Sequence, residues 1–100
     1  MRLSAVEIAA LRTALKGVPW AHVWLFGSRV DDSRRGGDID ILVHTAHPAF
    51  AVAHEISSRY AAAVDGQLDV LALDPQAMTD EQKSFVATLT LEPLDDLIGT

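Results

Sequence analysis

The stretch from Trp24 to Val43, WLFGSRVDDSRRGGDIDILV, limits what this chain can fold into more than any other part of it. Two apolar runs of strand length flank a polar, glycine-bearing connection. The connection leaves the first run through Gly27-Ser28 and enters the second through Asp38-Ile39-Asp40. If the runs pair antiparallel, both polar ends meet at one edge of a sheet. Alternation along the second run sends Asp38, Asp40 and Leu42 to one face and Ile39, Ile41 and Val43 to the other. Small residues facing a carboxylate pair point to a metal and a phosphate.

The flanking sequence supplies the remaining elements. Ser4-Ala5-Val6-Glu7 has capping-box spacing, Ile8, Leu11 and Leu15 recur at helical spacing, and Gly17 offers a left-handed stop, which predicts a helix over residues 4 to 16. Val18-Pro19 breaks the chain, and Ala21 to Phe26 reads as a strand buried on both faces, with Trp24 in the core and His22 a structural residue at its start. After the second strand, Pro48 opens a helix over residues 48 to 64, with Phe50, Ala53, Ile56 and Tyr60 as its apolar stripe and Gly66 ending it. Glu55 and Arg59 form an i,i+4 pair. Gln67 to Leu73 is a third strand. A strand, helix and strand in succession favour a right-handed crossover and parallel pairing of the second and third strands, which carries Asp69 level with Asp38 and Asp40. Thr79-Asp80-Glu81-Gln82 opens a short helix with Phe85, Val86 and Leu89 facing inward. Beyond Leu91 the signals fade: Leu94, Leu97 and Ile98 have nothing obvious to cover, Asp95 and Asp96 read as solvated, and the tail is expected either to fray or to dock on a partner.

One hundred residues suffice for a single domain, here residues 1–100, and the expected class is α/β (α+β), a small three-stranded mixed sheet with helices packed on it in the order α-β-β-α-β-α. So small a core would gain from an oligomer or partner subunit. With 49% hydrophobic residues, no run of membrane-spanning length and no signal-peptide pattern, a soluble, cytoplasmic protein is expected. The absence of cysteine excludes disulfides and thiolate zinc sites. A net charge of -6 opposes direct nucleic-acid binding, though not a nucleotide held through metal-bridged phosphates.

Paired carboxylates on one face repel each other and are costly to desolvate, and a divalent cation is the compensation that also brings a function. Hard oxygen ligands select Mg²⁺ or Mn²⁺, and two such ions serve an in-line phosphoryl displacement. Gly27 lets backbone approach a ligand closely, and a turn beginning near Ser28 would aim N–H groups at an anion.

Gly27-Ser28, then Asp38-Ile39-Asp40 with hydrophobic neighbours, then Asp69 in a later strand, resemble the signature of the DNA polymerase beta-like nucleotidyltransferase superfamily. The extended string LFGSRVDDSRRGGDID is most similar to the minimal nucleotidyltransferases, often encoded beside an α-helical HEPN partner as antitoxins. The resemblance covers roughly residues 4 to 90. It implies a nucleotidyltransferase fold, with Asp38, Asp40 and Asp69 ligating Mg²⁺ and Asp69 serving the ion that activates the acceptor hydroxyl. It implies that Gly27 and Ser28 hold the β- and γ-phosphates of ATP or another nucleoside triphosphate, with Arg29 on phosphate. The reaction it implies is transfer of AMP to a tyrosine of a HEPN-type toxin. The Ser28–Asp38 spacing, one residue shorter than the common antitoxin form, suggests a sister group, and the helical domain of larger relatives is missing, so another surface must hold base and acceptor. A competing expectation is a non-catalytic antitoxin or assembly subunit that inhibits by binding, through its helix faces and the apolar tail.

Blander assignments stand for other residues. Arg34 and Arg35 read first as solvated loop cations, with a phosphate or partner role second. Asp31 and Asp32 shape the turn. His44, His47 and His54 lack the spacing and the fourth ligand of a zinc site.

Overall fold

The computed structural model describes residues 1–33 and 37–99. The expected helix at the start is α1, Ala5–Leu15. Ser4 caps it through the reciprocal bonds of a capping box, with Glu7 N–H donating to Ser4 Oγ at 3.1 Å and Ser4 N–H to Glu7 Oε1 at 2.9 Å. Gly17 takes φ +78°, the left-handed turn that sends the chain toward β1, His22–Phe26. A single 3-10 turn, Gly27–Val30, follows, and β2 spans Ile39–His44. Then come α2 (Ala49–Ala63), β3 (Leu68–Leu73), α3 (Asp80–Ala87), β4 (Glu92–Pro93) and α4 (Asp95–Ile98).

The fold is α+β, and its sheet is mixed, with β1 antiparallel to β2 and β2 parallel to β3 as the crossover argument requires. It has four strands rather than three, in the order β3-β2-β1-β4. The added strand is β4, which pairs antiparallel with β1 at Trp24 and Leu25. Two residues are too short to show a period in sequence, yet they cover the outer edge of β1, where unpaired backbone would otherwise remain.

The same tail corrects the expectation of a frayed or partner-docking end. Leu94 is 0% exposed and Ile98 6%, both inside the main core with Leu11, Leu15, Val23 and Leu25. Leu94 N–H donates to the Val23 carbonyl at 2.9 Å, and Arg12 Nε reaches the Leu97 carbonyl at 2.5 Å. Asp95 is not merely solvated either. Its carboxylate accepts from Val23 N–H at 2.7 Å and pairs with the His22 ring at 2.8 Å. Burial opposes the charged form of Asp95, but these two hydrogen bonds and the imidazoles of His22 and His44 outweigh it, leaving the carboxyl below its ordinary range. A depressed carboxyl adds stability above its unfolded-state pKa and loses it as pH falls through the lower folded value. Asp95→Ala is therefore expected to cost about 1 kcal/mol at neutral pH, after solvent screening of a half-exposed group. Urea unfolding should find that difference gone in acid.

Other departures come from the two faces of the sheet. Val23, Leu25, Ile39, Ile41 and Val43 point toward α1 and α2 and are buried. Trp24, on the opposite face, is half-buried against His44, ring centroids 4.5 Å apart, so it is not core and β1 is fully covered on one face only. In α2 the buried stripe is Val52, Ile56 and Tyr60, while Phe50, expected inward, is 86% exposed. Positions 52, 56 and 60 stay on one face at i,i+4 spacing, whereas position 50 lies roughly 200° around from 52. The helix ends at Ala63, before Gly66, and Pro48 is its cap rather than its first residue. The capping box of α3 forms, but no residue of α3 is buried and Phe85 is 50% exposed. That helix meets the other face of the sheet, sharing a hollow with Leu71 and Leu73 instead of the main core. No helix of the described residues is long and apolar enough to cross a membrane.

Candidate active site

The antiparallel register sets Phe26 opposite Asp40, so the residue after β1 lands beside the carboxylate near the start of β2. That residue is Gly27, at φ +77°, and any Cβ there would overlap Asp40 Oδ2. A second glycine pinches the other end of the connection: Gly37, at φ +89°, lies so close to Ser28 that a Cβ would overlap its Oγ. The two glycines fold the connection back on itself and bring the Ser28 hydroxyl next to the residue preceding Asp38. Among the described residues no side chain caps the start of the 3-10 turn. Gly27→Ala is expected to destabilise the protein by about 1–2 kcal/mol from the left-handed backbone, and to turn the Asp40 carboxylate out of its place. Urea unfolding measures the loss. Gly17→Ala, with open space around the site, should cost only the backbone part.

Asp40 and Asp69 are direct neighbours in the parallel ladder of β2 and β3. Asp40 is half-buried, and its carboxyl is pushed above the ordinary range first by burial, then by the charge and hydrogen bond of Asp69, then by the charge of Asp38. Gln67 Nε2 donates to Asp69 Oδ1 at 3.2 Å. Asp38 stands just outside the strand. It lines a hollow on the helix side of the sheet while its charge still reaches Asp40. The arrangement is thus a close pair with a third carboxylate at the corner, a looser grouping than three converging ligands. Among the described residues no three His, Cys, Asp or Glu side chains gather as a ready-made metal cage. The donor chemistry nonetheless fits Mg²⁺, which is usually held by one or two carboxylates with water and phosphate oxygens completing the octahedron. Two adjacent carboxylates, one of them reluctant to ionise, are what a divalent cation relieves.

Arg29 has a different position from the one its place after Gly27-Ser28 suggests. Its guanidinium grips the Glu7 carboxylate in a fork, at 2.9 and 2.8 Å, and donates to the carbonyls of Arg2 at 2.8 Å and Gly37 at 3.0 Å. Four of its five donors are thereby engaged within the chain. The Arg29 hydrogen bond is the main reason the Glu7 carboxyl lies below its ordinary range, against the opposing effect of burial. Arg29 therefore braces the site, tying the turn to α1 on one side and to the approach of Asp38 on the other. Arg2 adds a second brace, donating to the carbonyls of Ser28 at 2.9 Å and Asp31 at 2.8 Å. Sequence reasoning assigned Glu7 only to its helix cap and gave Arg2 no role. Nothing local marks partners 22 or more residues away.

Arg34 and Arg35 lie outside the described residues. Asp31 holds the turn through its Oδ1, which accepts from Ser33 N–H at 2.9 Å. His47 and His54 stand apart from His44, whose neighbours are Trp24 and His22. The chain matches no protein-family model, and no curated protein matches it either.

Proposed function

We propose that this protein is a Mg²⁺-dependent nucleotidyltransferase, moving a nucleoside monophosphate, AMP from ATP, to a hydroxyl on a protein partner. The observation that carries the reading is the pairing of Asp40 with Asp69 directly against the close approach of Gly27. In the proposed reaction Gly27 and Ser28 bind the β- and γ-phosphates. Asp40 and Asp69, with Asp38 at the corner, hold the divalent ion or ions, Mn²⁺ being able to substitute. Bound there, the metal supplies charge neutralisation at the attacking and leaving oxygens. The acceptor oxygen forms a bond to the α-phosphorus, its proton passes to Asp69, and the bond to pyrophosphate breaks. Arg29 positions the turn through Glu7 and Gly37.

With the resemblance to the minimal nucleotidyltransferases, the partner this suggests is a small all-helical HEPN-type toxin silenced on a tyrosine, in the cytoplasm where triphosphates are available. Incubation with labelled ATP, Mg²⁺ and the product of the neighbouring gene should label that partner. Labelling that survives removal of Asp38, Asp40 and Asp69 would sink the proposal. The rival reading, inhibition by occlusion, leaned on the helix faces and the apolar tail; Leu94 and Ile98 are committed to this chain's own core, which leaves that reading the helix faces, where Val6, Phe50 and Phe85 are exposed.

A further inference from the structure

The two edges of the sheet are finished differently. β4 closes one edge with two residues, and one of them, Pro93, has no N–H to offer a further strand. β3 closes the other with six, Leu68–Leu73, among which there is no proline, lysine or arginine. In a parallel ladder alternate residues turn both backbone groups to the same neighbour. Thr45 N–H donates to the Leu73 carbonyl at 2.9 Å, so Leu73, and by alternation Leu71 and Asp69, face β2. The backbone groups of Leu68, Val70 and Ala72 therefore point outward, and Ser57 Oγ reaches the Leu68 carbonyl from that side at 3.3 Å. Among the described residues nothing bonds the outward N–H and C=O of Val70 and Ala72. Such a row, unguarded by proline or lysine, is a template for another strand.

Each side of that row carries an exposed aromatic ring. Ser57 marks the flank of α2 that overhangs the edge, and Phe50, seven residues earlier, lies on the same flank two turns away. α2 runs back against the direction of β3, so those two turns, roughly 11 Å, bring Phe50 to about the level of Ala72. Phe50 is 86% exposed, with the His54 ring stacked on it. On the other face of the sheet, Leu71, Leu73 and the half-exposed Phe85 border a hollow of about 420 Å³ between β3 and α3. A strand laid beside β3 sends alternate side chains to these two places, one set along Phe50 and the other into the hollow. Charge selects the strand. Asp74 follows β3 directly and Glu81 lines the hollow, and neither is in an ion pair among the described residues. A second copy of this chain, of net charge -6, would bring the same negative groups to the same edge, whereas a basic segment is attracted to it. We propose that the outer edge of β3 takes up an extended segment of a partner protein, paired through its backbone to Val70 and Ala72, with β-branched or other apolar side chains along its length and lysine or arginine at its ends.

The probe is a synthetic peptide of alternating valine and threonine with a lysine at each end, followed by fluorescence anisotropy and by amide hydrogen exchange of the protein. Saturable binding is expected, with exchange slowed at Val70 and Ala72. Two methylated forms of the peptide test the backbone pairing, because only one alternate set of its N–H groups faces β3. N-methylation of that set should weaken binding about tenfold or more, and N-methylation of the other set should be tolerated. Glutamate in place of both lysines should also cost about tenfold. Phe50→Ala and Phe85→Ala should each weaken binding several-fold, while Val6→Ala, exposed on α1, should leave it unchanged. The protein alone should sediment as a monomer. The proposal is overturned by absent or non-saturable binding, by equal binding of the two methylated peptides, by undiminished binding of the glutamate peptide, or by equal loss in Val6→Ala. It is overturned as well by a dimer that itself slows exchange at Val70 and Ala72, since a second copy is then the occupant. Neither nucleotide nor metal enters this test, so its outcome is independent of the transferase reading.

Discussion

Asp40→Asn is expected to lower nucleotidyl transfer by about a thousandfold or more, some 4 kcal/mol in barrier, while leaving the metal-free protein at least as stable as before. The two halves of this result have one origin. Asp40 is held beside Asp69 and partly out of water, so its ionised form is disfavoured in the folded chain. A carboxyl raised in this way binds its proton more tightly folded than unfolded, and stability falls as pH rises between the unfolded and folded values. At neutral pH the carboxylate is thus a strain on the fold, and an isosteric amide removes the charge without opening a cavity. Transfer assays and thermal unfolding of the same two proteins separate the effects. A residue kept only for structure would lose both stability and activity together. By the same sign, divalent ions should raise the melting temperature of the wild type and do so far less in the variant.

Leu94→Ala is expected to destabilise the protein by about 2–5 kcal/mol, the range for truncating a fully buried leucine. Leu94 is 0% exposed and packs in the main core, joined to β1 by its backbone. In a domain whose whole stability is of order 5–15 kcal/mol, with each kcal/mol worth roughly 4–8 °C near the midpoint, such a loss is large. Phe50→Ala serves as the contrast, since a side chain 86% exposed should change stability by no more than about 0.5 kcal/mol. Equal effects from the two substitutions would mean that the tail does not belong to the core.

Much of the architecture could be read from residue patterns, because the physics that sets those parts is local. Both capping boxes, at Ser4 and Thr79, formed with both of their hydrogen bonds. The strand-helix-strand succession carried the parallel pairing, and with it the placement of Asp69 beside Asp40. What could not be read depends on distant partners. Whether Trp24 or Val23 faces the helices turns on which face of an apolar strand is covered, and four apolar residues in a row, Val23 to Phe26, leave that ambiguous. The commitment of Leu94 and Ile98 to the core rests on the free edge of β1, some 70 residues earlier in the chain. In the candidate site, Gly27 and Asp40 were legible as residue types, but the glycine's second reason, an oxygen of Asp40 where a side chain would sit, comes from the register. Arg29 looked like a phosphate ligand because it follows Gly-Ser. Its engagement by Glu7 needed α1 to be packed against the turn.

Binding of ATP at equilibrium, with and without Mg²⁺, to the wild type and to Asp40→Asn and Asp69→Asn tests most directly whether Gly27, Ser28 and the carboxylate pair form one site. Saturable binding that requires the divalent ion and weakens at least about tenfold in either variant is the predicted result. Binding unchanged by chelation of the metal, or equal in all three proteins, would contradict it.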